Sequence, residues 1–285
     1  MPISLQEVRR RILIALFSDD ELMNTLVLKG GNALTMVHEV GNRSSLDMDF
    51  SIANQFPDLA VARSRVFSAL RREFAEAGYV LFDEEFIPKP SEPSKDQPAW
   101  WGGYIIEFKL IERTLHEEFS TNVDALRRRA TVLGPRQRKI YTIDISKNEY
   151  CASKVKREFD HYTIYVYSLE MIAIEKLRAI CQQMDEYPLI GNPRPRARDF
   201  YDICTIARTP GVNLAAAANI ELFEHIFAAK AVPLTLLERI PETRAFHAID
   251  WPSVEDTIGG KRESFDHYFD EVVELVSSLE ALWKK

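Results

Sequence analysis

Leu26–Ile52 reads LVLKGGNALTMVHEVGNRSSLDMDFSI, and its two halves carry different periodicities. In the second half Leu46, Met48, Phe50 and Ile52 alternate with Asp47, Asp49 and Ser51. Alternate residues of a strand share a face. The spacing therefore predicts four apolar side chains turned into a core, with Asp47 and Asp49 projecting together from the other side. Two carboxylates so close repel each other unless something positive lies between them, and a hard divalent cation such as Mg²⁺ prefers oxygen ligands of this kind. A D-x-D pair by itself equally describes a solvated strand face. The first half adds to it. Leu26–Lys29 reads as a strand and Gly30-Gly31 as a strand-to-helix turn, while Ala33, Leu34, Met36, Val37 and Val40 recur at the spacing of a helix over Asn32–Val40. Glycines at such a turn let backbone N–H groups approach a phosphate at the positive end of the helix. Joined to Arg43, Ser45, Asp47 and Asp49, the turn describes a site for a nucleoside triphosphate and a metal.

Working outward, Ala60–Ala77 has the period of a long helix, and Tyr104–Ile111, Lys139–Ile145 and His161–Tyr167 are strands rich in β-branched and aromatic residues. From Ser168 onward almost every segment is helical. The proline-rich stretches Pro88–Pro98 and Gly191–Pro195, and Pro210-Gly211, read as loops. This order predicts an α+β chain, with a mixed-sheet α/β domain over residues 1–167 and a mostly helical domain over 168–285 that contributes to the active site.

With 285 residues, 46% hydrophobic and 28% charged, the chain can bury a core without staples, and a disordered or fibrous class is excluded. Cys151, Cys181 and Cys204 form no CxxC pair and no even framework, which predicts a reduced, cytoplasmic setting. The apolar run Ile12–Phe17 is too short for a signal segment, and no stretch is long and apolar enough to span a membrane.

KGGNAL followed by RSSLDMD resembles the first motif of the AbiEii/AbiGii toxin family of nucleotidyltransferases, which includes MenT-like toxins and belongs to the DNA polymerase β-like superfamily. Its members show K-G-G-T-A-L and then R-F-S-x-D-x-D; Asn32 here replaces the threonine and Ser44 the aromatic. YSLEMIAIEKLR (167–178) and RDFYDIC (198–204) resemble the family's S-L-E-x-x-x-x-E-K-L-x-A and R-D-x-Y-D-L motifs. The periodicity agrees. Lys176 lies between Ile172 and Ile180 on an apolar helix stripe, where a lysine needs a partner or must snorkel to water. Phe200, Ile203, Cys204 and Ala207 form the buried stripe of a second helix, with Asp199 and Asp202 on a neighbouring face. The resemblance spans about Leu26–Ala207.

It implies a polymerase β-like core and a nucleotidyltransferase that uses an NTP and Mg²⁺ (or Mn²⁺). Asp47 and Asp49 would be catalytic carboxylates and metal ligands. The third carboxylate would be Asp144 or, next, Glu107. Lys176 would contact the triphosphate, and Asp199 would orient or activate the acceptor. Lys29, Gly30, Gly31, Arg43, Ser45, Arg198 and Asp202 would complete the nucleotide site. The acceptor would be RNA, with the 3′ end of tRNA expected, and a cognate antitoxin would be the protein partner. Neither DNA nor a membrane is expected as a partner. The same fold modifying a protein or small molecule or acting as a phosphotransferase, or a catalytically silent RNA- or partner-binding protein, is the competing reading.

The net charge of −7 disfavours a nucleic-acid binder at first sight, but the distribution does not. Lys109–Arg157 holds twelve Lys or Arg against six Asp or Glu. Arg127-Arg128-Arg129, Arg136-Arg138-Lys139 and Lys154-Lys156-Arg157 would suit an RNA backbone, although such runs also form plain solvated surface. Trp100-Trp101 reads as a loop anchor or, alternatively, a base-stacking pair. The six histidines have no metal-ligand spacing.

Overall fold

The alternation Met48-Asp49-Phe50-Ser51 forms a strand in the computed structural model, which describes residues 3–43, 45–92, 97–133 and 137–284. Ser44, the stretch 93–96 of the proline-rich segment and Arg136 of the basic run lie outside the described residues. The chain forms two compact units. The first comprises residues 1–28, 46–148 and 156–166; the second comprises 29–45, 149–155 and 167–285.

The first unit is built on a seven-stranded sheet: β1 (Val27–Lys29), β2 (Met48–Ser51), β3 (Tyr79–Lys89), β4 (Gly103–Glu112), β5 (Ile140–Ser146), β6 (Val155–Phe159) and β7 (Tyr162–Val166), in the order β3-β4-β5-β2-β1-β7-β6. β2 pairs parallel with β5 and β1 with β7, while β3–β4 and β4–β5 are antiparallel, so the sheet is mixed. Its helices are α1 (Leu5–Phe17), α2 (Asp20–Thr25), α4 (Leu59–Glu76), α5 (Arg113–Phe119) and α6 (Val123–Arg129). Ser4 and Asp58 cap α1 and α4 by accepting from first-turn N–H groups. The two helices pack on each other and cover one sheet face. Met48 and Phe50 of β2, Ile106 and Phe108 of β4, and Tyr141 and Ile143 of β5 point into that layer and are buried. Phe17 meets Phe50 at 6.3 Å and Phe74 meets Phe108 at 5.9 Å between ring centroids. Each such side chain contributes about 1.5–3 kcal/mol on burial. Leu46, expected in this core, is only half-buried, because it precedes the strand.

The second unit begins with α3 (Gly30–Met36) and continues as α7 (Leu169–Cys181), α8 (Ala197–Ala207), α9 (Ile220–Ala228), α10 (Arg244–Ala248), α11 (Trp251–Glu255) and α12 (Phe265–Ser278). The helix predicted over Asn32–Val40 starts at the glycines and ends four residues earlier. The core of α8 is Phe200, which stacks on Phe269 of α12 at 5.0 Å, together with Ile203 and Cys204. Ala207 is exposed, and Ile206 takes the inward position.

The sequence reading missed β3, taking Pro88 for a loop. β3 is an edge strand, where a proline costs no ladder hydrogen bond, and Pro88 pairs with Tyr104. A register shift between Phe82 and Glu85, with Asp83 at φ +50°, breaks the two-residue period that would have marked it. No helix among the described residues is long and apolar enough to cross a membrane.

Candidate active site

The face of the sheet opposite the α1/α4 layer carries the acids of the first unit. In the parallel β2–β5 pair Asp49 is the register partner of Asp144. Register partners side by side on one face bring two carboxylates into the same neighbourhood, with Asp47 two residues before Asp49. Glu107 on β4 pairs instead with Thr142, one pleat away from Asp144. The register thus sets Asp144, rather than Glu107, beside the D-x-D strand. Arg138 Nη2 donates to Asp47 Oδ1 at 2.7 Å, and Lys89 Nζ donates to Asp144. The donors are all oxygens, which is the chemistry of a hard divalent cation. Among the described residues, however, no three His, Cys, Asp or Glu side chains converge on one point. Arg138 and Lys89 hold two of the carboxylates in ion pairs.

The second unit holds a buried ionic network. The Ser168 side chain caps α7 by accepting from Met171 N–H, and the helix buries Lys176 between Ile172 and Ile180. Lys176 Nζ is 2.7 Å from Asp199 Oδ1 and 2.8 Å from Asp202 Oδ2. Asp202 also accepts two hydrogen bonds from Arg43, at 3.0 Å from Nε and 2.8 Å from Nη2, and Asp199 Oδ2 is 2.8 Å from Arg196 Nε. Burial would push the two carboxyl groups up, but the surrounding cations outweigh it and hold both below the ordinary range. Burial would likewise lower Lys176, yet Asp199 and Asp202 keep it raised. All three are therefore ionised at neutral pH. Arg198, a candidate partner of either acid, is exposed and acts on Asp199 only through its field.

The glycines have two distinct jobs. Gly30 sits at φ +69°, a region that other residues enter only with strain. A Cβ on Gly31 would lie 2.7 Å from Arg43 Nη2 and 3.1 Å from Ser45 Cβ, so the absence of a side chain admits the arginine that grips Asp202. Lys29 is buried, with Nζ paired to Glu175 and 4.0 Å from Glu149. Glu149 in turn takes Arg178 at 2.7 and 3.2 Å and Lys230 at 3.6 Å. Burial would raise the Glu149 carboxyl, but Arg178, Lys29 and Lys230 hold it down at about 2. Glu149, Arg178 and Glu175 were not singled out from sequence, although Glu175 and Arg178 stand in the quoted YSLEMIAIEKLR motif.

The N-terminus of α8, which presents Asp199 and Asp202, is capped from a distant segment. Arg196 N–H donates to His247 Nδ1 at 3.0 Å and Ala197 N–H to Asp250 Oδ1 at 3.1 Å. His247 is fully buried, its Nε2 has no hydrogen-bond partner among the described residues, and burial lowers its pKa to about 4. No local pattern signals a cap supplied from fifty residues away.

JHP933 from Helicobacter pylori aligns with the chain at 17% identity, covering 97% of this chain and 91% of that one, with a TM-score of 0.49. An antigenic nucleotidyltransferase-like protein from Paracoccidioides brasiliensis aligns at 15% identity over 87% of this chain and 94% of that one, with a TM-score of 0.40. No curated protein matches the chain. The family model described as "Nucleotidyl transferase AbiEii toxin, Type IV TA system" matches residues 11–274, extending well beyond the Leu26–Ala207 span of the motif resemblance at both ends. The buried charge network around Lys176 and the helices that follow it thus fall within one family pattern, and the chain belongs to the AbiEii family of nucleotidyltransferase toxins of type IV toxin–antitoxin systems.

Proposed function

We propose that this nucleotidyltransferase moves a nucleoside monophosphate from an NTP to the 3′-terminal hydroxyl of an RNA, with tRNA as the acceptor, in a Mg²⁺-dependent (or Mn²⁺-dependent) reaction in the cytoplasm. Family membership brings an NTP as substrate and an antitoxin as partner. The observation that carries the metal-dependent reading is the register that sets Asp49 beside Asp144, two residues after Asp47, so that carboxylate oxygens of the kind a hard cation prefers stand on neighbouring strands. Asp47, Asp49 and Asp144 would hold the metal, which supplies charge neutralisation at the reacting phosphate.

The protein's own groups do the rest. Gly30, Gly31 and Ser45 cradle phosphates, with Lys29, Arg43 and Arg198 adding positive field. Lys176, an ammonium at neutral pH, balances triphosphate charge and the charge growing on the leaving pyrophosphate. Asp199 is held too acidic to be a strong base, so its work is to orient the acceptor hydroxyl, with Asp202 fixing Arg43 and Lys176 around it. Such transfer rests mainly on positioning. Arg127, Arg128 and Arg129 are exposed on α6 and supply positive charge for an RNA backbone. The residues from 168 onward contribute Lys176, Asp199 and Asp202.

Incubating the purified protein with each labelled NTP, Mg²⁺ and total tRNA tests the reading. Label on tRNA with wild type, and none with Asp49→Ala or Lys176→Ala, is the expected result. Label on protein alone would replace the RNA acceptor by a protein. Absence of transfer and of nucleotide binding with every NTP would refute the assignment.

A further inference from the structure

By sequence, Arg138 belongs to a basic run that would face RNA phosphates. In the folded first unit its guanidinium donates to Asp47 Oδ1 at 2.7 Å, to Thr142 Oγ1 at 2.8 Å and to the Ile140 carbonyl at 3.0 Å. Thr142 Oγ1 in turn lies 3.5 Å from Glu107 Oε1 across the β4–β5 pair. A rigid, planar fork is thereby fixed by two neutral acceptors while one arm rests on a carboxylate. Lys89 bears on Asp144 in the same way. Asp49, Asp144 and Glu107 share this face with Asp47 beside them, and of these Asp47 is paired to Arg138 and Asp144 to Lys89.

We propose that Arg138 is the resident counter-ion of the metal site. It holds Asp47 in place in the metal-free protein and yields Asp47 Oδ1 to an arriving divalent cation. Its anchors on Thr142 and Ile140 keep it beside the carboxylates afterwards. The inference rests on the reading of Asp47, Asp49 and Asp144 as metal ligands and makes Arg138 a positioning residue that competes with the metal.

The test titrates the full chain with Mn²⁺ and reads the free aquo-ion by electron paramagnetic resonance, with no nucleotide or turnover involved. A partly exposed ion pair of this kind sets metal affinity by about two- to fivefold. Arg138→Ala is therefore expected to bind Mn²⁺ about two- to fivefold more tightly than wild type. Arg138→Lys, which retains the charge, restores the wild-type value, and Asp47→Asn binds more weakly. Arg138→Gln keeps an N–H donor near the place of Nε, toward the Ile140 carbonyl, without the charge and should follow Arg138→Ala, which separates charge from any folding defect. The salt dependence of bulk tRNA binding should be the same in Arg138→Ala and wild type. Unchanged or weaker Mn²⁺ binding in both neutral variants overturns the proposal, as does a tRNA salt slope reduced by about one phosphate contact. Failure of the wild type itself to bind Mn²⁺ overturns the metal-site reading and this inference together, and is recognised without any variant.

Discussion

Replacing Lys176 by methionine removes the ammonium that joins Asp199 to Asp202. Removing one partner from a buried ion pair costs about 3–5 kcal/mol, because the remaining charges lose compensation without regaining water. Arg196 stays on Asp199 and Arg43 on Asp202, which places the loss near the lower end, about 3 kcal/mol. For a chain of this size that is about 5 °C in thermal midpoint. The sharper measurement is the double-mutant cycle of Lys176→Met with Asp199→Asn, in which the pair should cost about 2 kcal/mol less than the sum of the single changes. The network also fixes the pH dependence. Asp199 and Asp202 are held below their unfolded values, so their stabilisation is complete above about pH 4 and is lost as pH falls through the depressed folded values. Lys176 is held above its unfolded value, so its share is complete below about pH 10 and lost only on the alkaline side of its raised value. The gap between wild type and Lys176→Met should be flat from about pH 5 to 9 and close toward strong acid. Additive single costs below about 1 kcal/mol, or a gap that widens on acidification, would refute the account of the network.

Gly31→Ala should lower stability by about 1–3 kcal/mol through displacement of Arg43 from Asp202, and Gly30→Ala should cost about 1–2 kcal/mol through backbone strain at its positive φ; chemical denaturation of both measures the two costs. His247→Asn keeps an acceptor where Nδ1 stands, whereas His247→Ala and His247→Gln do not, so the latter two should lose about 1 kcal/mol and part of kcat while the asparagine variant retains both. Lys230 is pushed down to about 8 chiefly by burial, despite its neighbour Glu149. Its folded value lies below the unfolded one, so its charge opposes folding fully below about pH 8, and the cost fades between there and about pH 10.4. Lys230→Met should therefore be more stable than wild type at pH 7, on the order of 1 kcal/mol, and lose that advantage by pH 10; a destabilised variant would show that the ammonium supports Glu149 instead.

What was legible in the sequence divides along a physical line. Met48-Asp49-Phe50 declared a strand because its two faces meet different media, and period two survives wherever one face is buried. Lys176 was conspicuous because a charge on an apolar stripe demands an explanation, and the folded chain supplies it in Asp199 and Asp202. The hidden features are those that depend on register or on contacts across long separations. That Asp144, and not Glu107, stands beside Asp49 follows from which strands neighbour β5, and the β2–β5 pairing joins segments nearly one hundred residues apart, which no local period records. Arg138 looked like one of a run of surface cations because a count along the chain treats every arginine alike. Its direction is set by Thr142 and the Ile140 carbonyl on the following strand, so neighbours in sequence need not share a partner in space. The same reasoning revises the meaning of the paired glycines. The close approach of Arg43 Nη2, 2.7 Å from where a Cβ would stand, by itself favours glycine at position 31. Gly-Gly in this motif is therefore evidence first for the Arg43–Asp202 pair, and only after that for phosphate binding.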